Sequence, residues 1–119
     1  MIDWKRIDEL RSEIGEDTFT EVAELFVEEV DQVISQLRVG EPERNLHDTM
    51  HFLKGCALNL GFTTFGKLCL KNEKLLETGE ESVDLASVLH CYDQSRAEFV
   101  RTVMPERIRS QIRPVSDHP

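Results

Sequence analysis

The stretch His51-Phe52-Leu53-Lys54-Gly55 sets a titratable nucleophile, a cation and a residue without a side chain within one or two helical turns of each other. An imidazole, with an ordinary pKa of about 6.5, is largely neutral near pH 7 and is a competent nucleophile toward phosphorus. Once phosphorylated it carries a dianionic group, and the Lys54 ammonium is spaced to steady that group as a flexible point charge. Gly55 is the odd member of the set, because glycine in a helix interior costs roughly 1 kcal/mol relative to alanine. Clearance beside the ring, so that another protein's active site can approach a phosphoryl group nearly in line, is a function that offsets this cost.

These residues need a helix to present them. At about 100° of rotation per residue, Leu46, Met50, Leu53, Ala57 and Leu60 fall within one narrow arc, which reads as a buried stripe. His51 projects roughly 140° from the centre of that arc, together with His47, Lys54, Gly55 and Leu58, and is expected to stand in water. Gly40 and Pro42 in "VGEPER" predict that this helix starts near Pro42 or Glu43, and Gly61 ends it.

Two helices precede it. The first carries Trp4, Ile7, Leu10 and Ile14; the second runs from about Thr18 to Arg38 with Phe19, Val22, Ala23, Phe26, Val30, Val33, Ile34 and Leu37 at steps of three and four. The break at "GEDT" supplies a glycine and then a capping residue. After the motif, the threonines of "FTT" are expected to cap a fourth helix with Phe65, Leu68, Cys69, Leu75 and Leu76 on one side, ending at Gly79. A fifth begins near Val83 or Asp84 and turns Leu85, Val88, Leu89, Tyr92, Phe99 and Val103 inward until Pro105. Short connections between such helices predict an all-α antiparallel up-down four-helix bundle with a short additional N-terminal helix. The bundle is expected over residues 1–104, with residues 105–119 a partly disordered tail poor in apolar residues.

Composition bounds the function. The chain has 119 residues, 23 acidic against 14 basic side chains and a net charge of -9, which disfavours nucleic acid as a partner. The Arg107, Arg109 and Arg113 tail is too short to count as a nucleic-acid or membrane site. No apolar run reaches the roughly 18 residues that span a bilayer, and the acidic start "MIDWKRIDEL" lacks a secretory pattern, so a cytoplasmic protein is expected, with a monomer as the default. Cys56, Cys69 and Cys91, odd in number and set in apolar helical stretches, read as reduced packed thiols. None of the six glycines forms a phosphate-cradling run, so autophosphorylation from ATP is not expected.

The motif His51-x-Leu53-Lys54-Gly55 followed by Gly61 resembles the signature of histidine-containing phosphotransfer (HPt) domains, and "ELRSEIGEDTFTEVAELFVEEV", the Asn59-Leu60-Gly61 helix end and "LCLKNEKLLETG" are similar to the corresponding parts of that family. The resemblance covers roughly residues 3 to 104. It implies a bundle whose His51 accepts phosphate from a receiver-domain aspartate and passes it to another receiver in a two-component phosphorelay, as a carrier and not an enzyme. Lys54 would steady the phosphate, Gly55 give access, Gly61 end the motif helix, and Nε2 be the modified nitrogen. The implied partners are response-regulator receiver domains and a hybrid or upstream histidine kinase. No cofactor of the chain's own is implied, since the magnesium belongs to the receiver. Two positions depart from the family's usual pattern: Met50 stands where alanine is frequent, and Asn72 interrupts the apolar face of the fourth helix.

Docking is expected around His47, Phe52, Leu58, Asn59 and Gly61, with Phe52 and Leu58 as an apolar rim beside the histidine. Two other readings compete. One is a helical interaction module that keeps the fold without phosphotransfer. The other is a metal-binding bundle, since His47 and His51 lie four apart with Asp48 between them. Glu73 and Glu77, or His90 and Cys91, would have to complete such a site, and without a Glu-x-x-His or Cys-x-x-Cys pair no metal is expected.

Overall fold

The computed structural model describes residues 2–41, 44–79 and 83–103. Among them are five helices and no strand: α1 Trp4–Ile14, α2 Glu16–Arg38, α3 Leu46–Asn59, α4 Thr63–Glu77 and α5 Leu85–Val103. The expected tail at 105–119 with its three arginines, the break at Pro105 and the proposed helix start at Pro42 or Glu43 lie outside the described residues.

The apolar periodicity of each helix becomes one core. α2 packs on α3, α3 on α4, α4 on α5 and α5 on α2, a closed ring of four, with α1 laid against α2. Phe19, Phe62, Phe65, Tyr92 and Phe99 are fully buried at its centre. Phe26, Phe62 and Phe99 meet edge to face with centroids 5.2 to 6.3 Å apart, contacts worth about 0.5–1.5 kcal/mol each beyond the area they bury. Phe62, just past the motif, therefore belongs to the core. Trp4, expected there too, is only half-buried, while Val22 and Leu75 turn partly outward at 38 % exposure each.

Helix ends depart from the expected caps. α2 starts at Glu16 directly after Gly15, with no side-chain cap, so neither Asp17 nor Thr18 serves as one. α3 starts at Leu46, later than expected, because the Asn45 side chain accepts from the Asp48 amide at 2.8 Å and satisfies a free N–H of the first turn. α4 has Phe62 rather than a threonine at its N-cap position. Before α5, Asp84 accepts from the Ser87 amide at 3.1 Å and its hydroxyl at 2.6 Å.

Two glycines let α3 and α4 meet closely. Gly61, at φ +74°, turns the chain between them, and its carbonyl accepts from the Asp3 amide at 2.7 Å. A Cβ there would lie 2.9 Å from the Asp3 carbonyl oxygen, so the N-terminal segment fits over the turn only because no side chain is present. A Cβ on Gly66 would lie 3.3 Å from that of Ala57, so the absent side chain draws α4 onto α3. The close α3–α4 seam then carries the candidate site.

α2 and α5 are joined differently. Asp31 accepts from the Tyr92 hydroxyl at 2.7 Å and from Arg96 Nε and Nη2 at 2.8 Å each. Burial, first, and the Asp31 carboxylate, second, push the Tyr92 hydroxyl well above its ordinary pKa, which keeps it a neutral donor. The cysteines are free, and burial pushes the Cys69 thiol up to about 12, as suits a packed and unreactive sulfur.

Candidate functional site

His51 sits in the middle of α3, and its side chain is 65 % exposed, as its angle from the buried stripe predicts. Met50, Leu53, Ala57 and Leu60 are buried beneath it and fix the helix, while Leu46 is half-buried. The ring therefore stands on a rigid post.

Its position relative to α4 was not expected. His51 Nδ1 lies 2.8 Å from Glu73 Oε2, and Lys54 Nζ lies 2.9 Å from Glu73 Oε1. One carboxylate, only 7 % exposed, thus binds two of the three motif residues at once. The antiparallel register explains the meeting: each step forward along α3 matches an equal step back along α4, pairing His51 with Glu73 and His47 with Glu77. The Lys54 ammonium lowers the Glu73 pKa most; burial opposes it, and His51 lowers it further. Glu73 is then a carboxylate that can only accept, so Nδ1 carries a proton, and in the neutral ring the lone pair is on Nε2. No partner for Nε2 is found among the described residues.

Lys54 is thereby more constrained than a free point charge. Its side chain is 21 % exposed and already neutralised by Glu73, so it reaches a phosphoryl group only by sharing that carboxylate. Glu73, offered by the sequence only as a conceivable metal ligand, carries a signal for this role. Asn72 and Glu73 fall seven and eight residues after Phe65, where the inward face of α4 recurs, and both are buried. Asn72 resolves its burial locally, donating to the Leu68 carbonyl at 2.9 Å. Glu73 has no such local solution and turns to α3.

Gly55 is helical, and a Cβ built on it would meet nothing within 4 Å. Packing does not require glycine there. Gly55→Ala is therefore expected to stabilise the fold by about 0.5–1 kcal/mol, read as a rise of a few degrees in thermal midpoint. An unchanged or lower midpoint would mean that the helix depends on the glycine for a reason the geometry does not contain.

The expected docking residues divide. Leu58 is 60 % exposed and Asn59 is exposed on the same helix end. Phe52 is half-buried, with the Arg44 guanidinium 4.4 Å above its ring, so its face is partly covered. Gly61, also expected in the contact surface, is buried against Asp3 and serves the turn. A groove lined by Leu10, Val22, Leu25, Cys56 and Asn59 opens between α1, α2 and α3, with Leu25 63 % exposed on the α2 side. The sequence marks α2 only as a core helix, so its part in this surface is a finding of the structure.

His47 lies one turn before His51. Its Nε2 is 2.8 Å from Glu77 Oε2 and 3.8 Å from Glu73 Oε2, and its Nδ1 is 3.2 Å from Asp48 Oδ1. The Glu77 bond, first, and the Asp48 bond raise the His47 pKa above its ordinary value. His47, Glu73 and Glu77 thus converge although the sequence lacks a paired-ligand motif, whereas His90 and Cys91 take no part in this cluster.

No described helix is long and apolar enough to cross a membrane. A family model for the Hpt domain matches residues 21–102, well over half of the chain and all of the α3–α4 seam. No curated protein and no solved structure gives a match.

Proposed function

Because this chain belongs to the Hpt domain family, whose members carry phosphohistidine in two-component signalling, we propose that His51 accepts a phosphoryl group from one receiver-domain aspartate and hands it to another. The observation that carries this reading is a ring 65 % exposed on a rigid helix, with Nδ1 held by a buried carboxylate. In acceptance, the Nε2 lone pair attacks phosphorus, the bond to the aspartyl oxygen breaks, and its electrons return to the receiver carboxylate. The product is an N-phosphorylated imidazolium whose Nδ1–H still points at Glu73. That contact strengthens as the ring becomes positive, so it favours the transition state over the neutral ground state.

Magnesium and the acidic pocket belong to the receiver in this account, and the chain contributes nucleophile, orientation and access. The apolar surface of Leu58, Leu25 and the neighbouring groove supports docking of a receiver over Gly55. Gly55→Glu is expected to block this approach while helix content is retained. The reading is tested by incubating the chain with a radiolabelled, phosphorylated receiver domain. It requires label that is lost in acid and kept in alkali. A complete absence of label across a panel of receivers would favour the inert interaction module.

Glu73 is a positioning residue in this mechanism. A hydrogen bond to a charged group contributes about 1.5–3 kcal/mol, and the low end applies beside an exposed ring, so Glu73→Ala is expected to slow acceptance about tenfold. Rapid-quench rates check this, and the His51 ring nitrogen resonances should show Nδ1–H losing its predominance in the variant. An unchanged rate with an unchanged tautomer would remove Glu73 from the mechanism.

A further inference from the structure

His47, Glu73 and Glu77 offer one imidazole nitrogen and two carboxylate oxygens, all within 4.8 Å of one another, from two helices held by the core. Zinc takes such donors at about 2.0–2.2 Å in tetrahedral geometry, which sets neighbouring donors roughly 3.4 Å apart. The His47 distances of 2.8 Å to Glu77 and 3.8 Å to Glu73 bracket that spacing. Two further features are those of a prepared ligand set. Asp48 lies 3.2 Å from His47 Nδ1, where a carboxylate holds a proton on that nitrogen and leaves Nε2 as the metal-facing atom; a cation there displaces the proton that Nε2 shares with Glu77. The Glu73 side chain is more than nine-tenths buried and held in the seam by Lys54 and His51, so one ligand is already fixed in place.

Glu73 Oε2 is also the atom that holds His51 Nδ1. A cation on His47, Glu73 and Glu77 would draw that oxygen away from the ring. We propose that these three side chains bind a borderline divalent cation of the zinc class, and that the bound ion slows phosphoryl acceptance by withdrawing Glu73 from His51. The second half rests on the phosphorelay reading; the first half does not.

Calorimetric titration of zinc into the full chain tests the site. One ion is expected to bind with an affinity that falls at least about tenfold in His47→Ala and in Glu77→Ala, and that survives His51→Gln. Affinity unchanged in both ligand variants, or no binding at all, overturns the site. The coupling is tested separately, by acceptance from one phosphorylated receiver at fixed magnesium, with and without zinc, in wild type and Glu77→Ala. Zinc should slow the wild type and leave Glu77→Ala much less affected; because the receiver is shared, any effect of zinc on it cancels. Equal slowing of both chains overturns the coupling. Failure of acceptance before zinc is added would instead overturn the phosphorelay reading, with the calorimetric result still standing.

Discussion

His51→Gln is expected to reduce phosphoryl acceptance to background while the fold stays intact. The side chain is 65 % exposed and its Cα belongs to a helix fixed by Met50, Leu53 and Ala57, so the substitution removes one bond to Glu73 and no packing. Exposed substitutions of this kind change stability by about 0.5 kcal/mol or less, a thermal shift of only a few degrees. Acceptance has no substitute nucleophile at the seam. His47, the next imidazole, is engaged by Glu77 and Asp48 through both nitrogens, and His90 lies on α5, outside the α3–α4 seam. The comparison is made by transfer from a labelled receiver alongside circular dichroism. Retained acid-labile label in a folded His51→Gln chain would contradict the assignment.

The largest effect on stability is expected from the α2–α5 clamp. Arg96 is 6 % exposed at its side chain, and its guanidinium binds both oxygens of Asp31, which also accepts from Tyr92. Asp31→Ala leaves that cation and the Tyr92 hydroxyl without their shared acceptor. Removing one partner of a buried pair costs about 3–5 kcal/mol, and the 23 % exposure of Asp31, with the further contact that Arg96 keeps, places the expectation at the low end, about 3 kcal/mol. Against a total of about 5–15 kcal/mol for a domain, this should lower the thermal midpoint by on the order of 10 °C. Replacing both members by apolar residues, Asp31→Leu with Arg96→Met, should recover much of the loss, because no charge is then left buried. Below its midpoint the Asp31→Ala chain should still accept phosphate, since α3 and α4 hold the site. A midpoint shift under about 2 °C would show that water replaces the clamp without penalty.

The helices were legible because their burial is decided by period. Phe19, Ala23, Phe26, Val30, Val33, Ile34 and Leu37 repeat at helical steps, and the structure buries every one of them. The same projection placed His51 outward, since its angle depends only on its own helix. What depended on a second helix was not legible. The burial of Glu73 is legible from its place on the inward face of α4, but its partners depend on the register of α4 against α3, and that register follows from Gly61 and Gly66, whose missing side chains have no signature in hydrophobic period. Pro42 reads as a helix opener in the sequence, but α3 starts at Leu46 because Asn45 supplies the hydrogen bond that a first turn needs. Val22 and Leu25 sit on a helix rich in core residues, and their exposure was masked by that richness.

The most direct test is to find which ring nitrogen of His51 bears the phosphoryl group. The chain, labelled with nitrogen-15 and phosphorylated by a receiver, would be observed by correlation of ring nitrogens with ring protons and by phosphorus-31 resonance. The geometry predicts phosphorus on Nε2 with a proton retained on Nδ1, held toward Glu73 at a separation of 2.8 Å in the unphosphorylated chain. Phosphorus on Nδ1, or on any residue other than His51, would contradict the account.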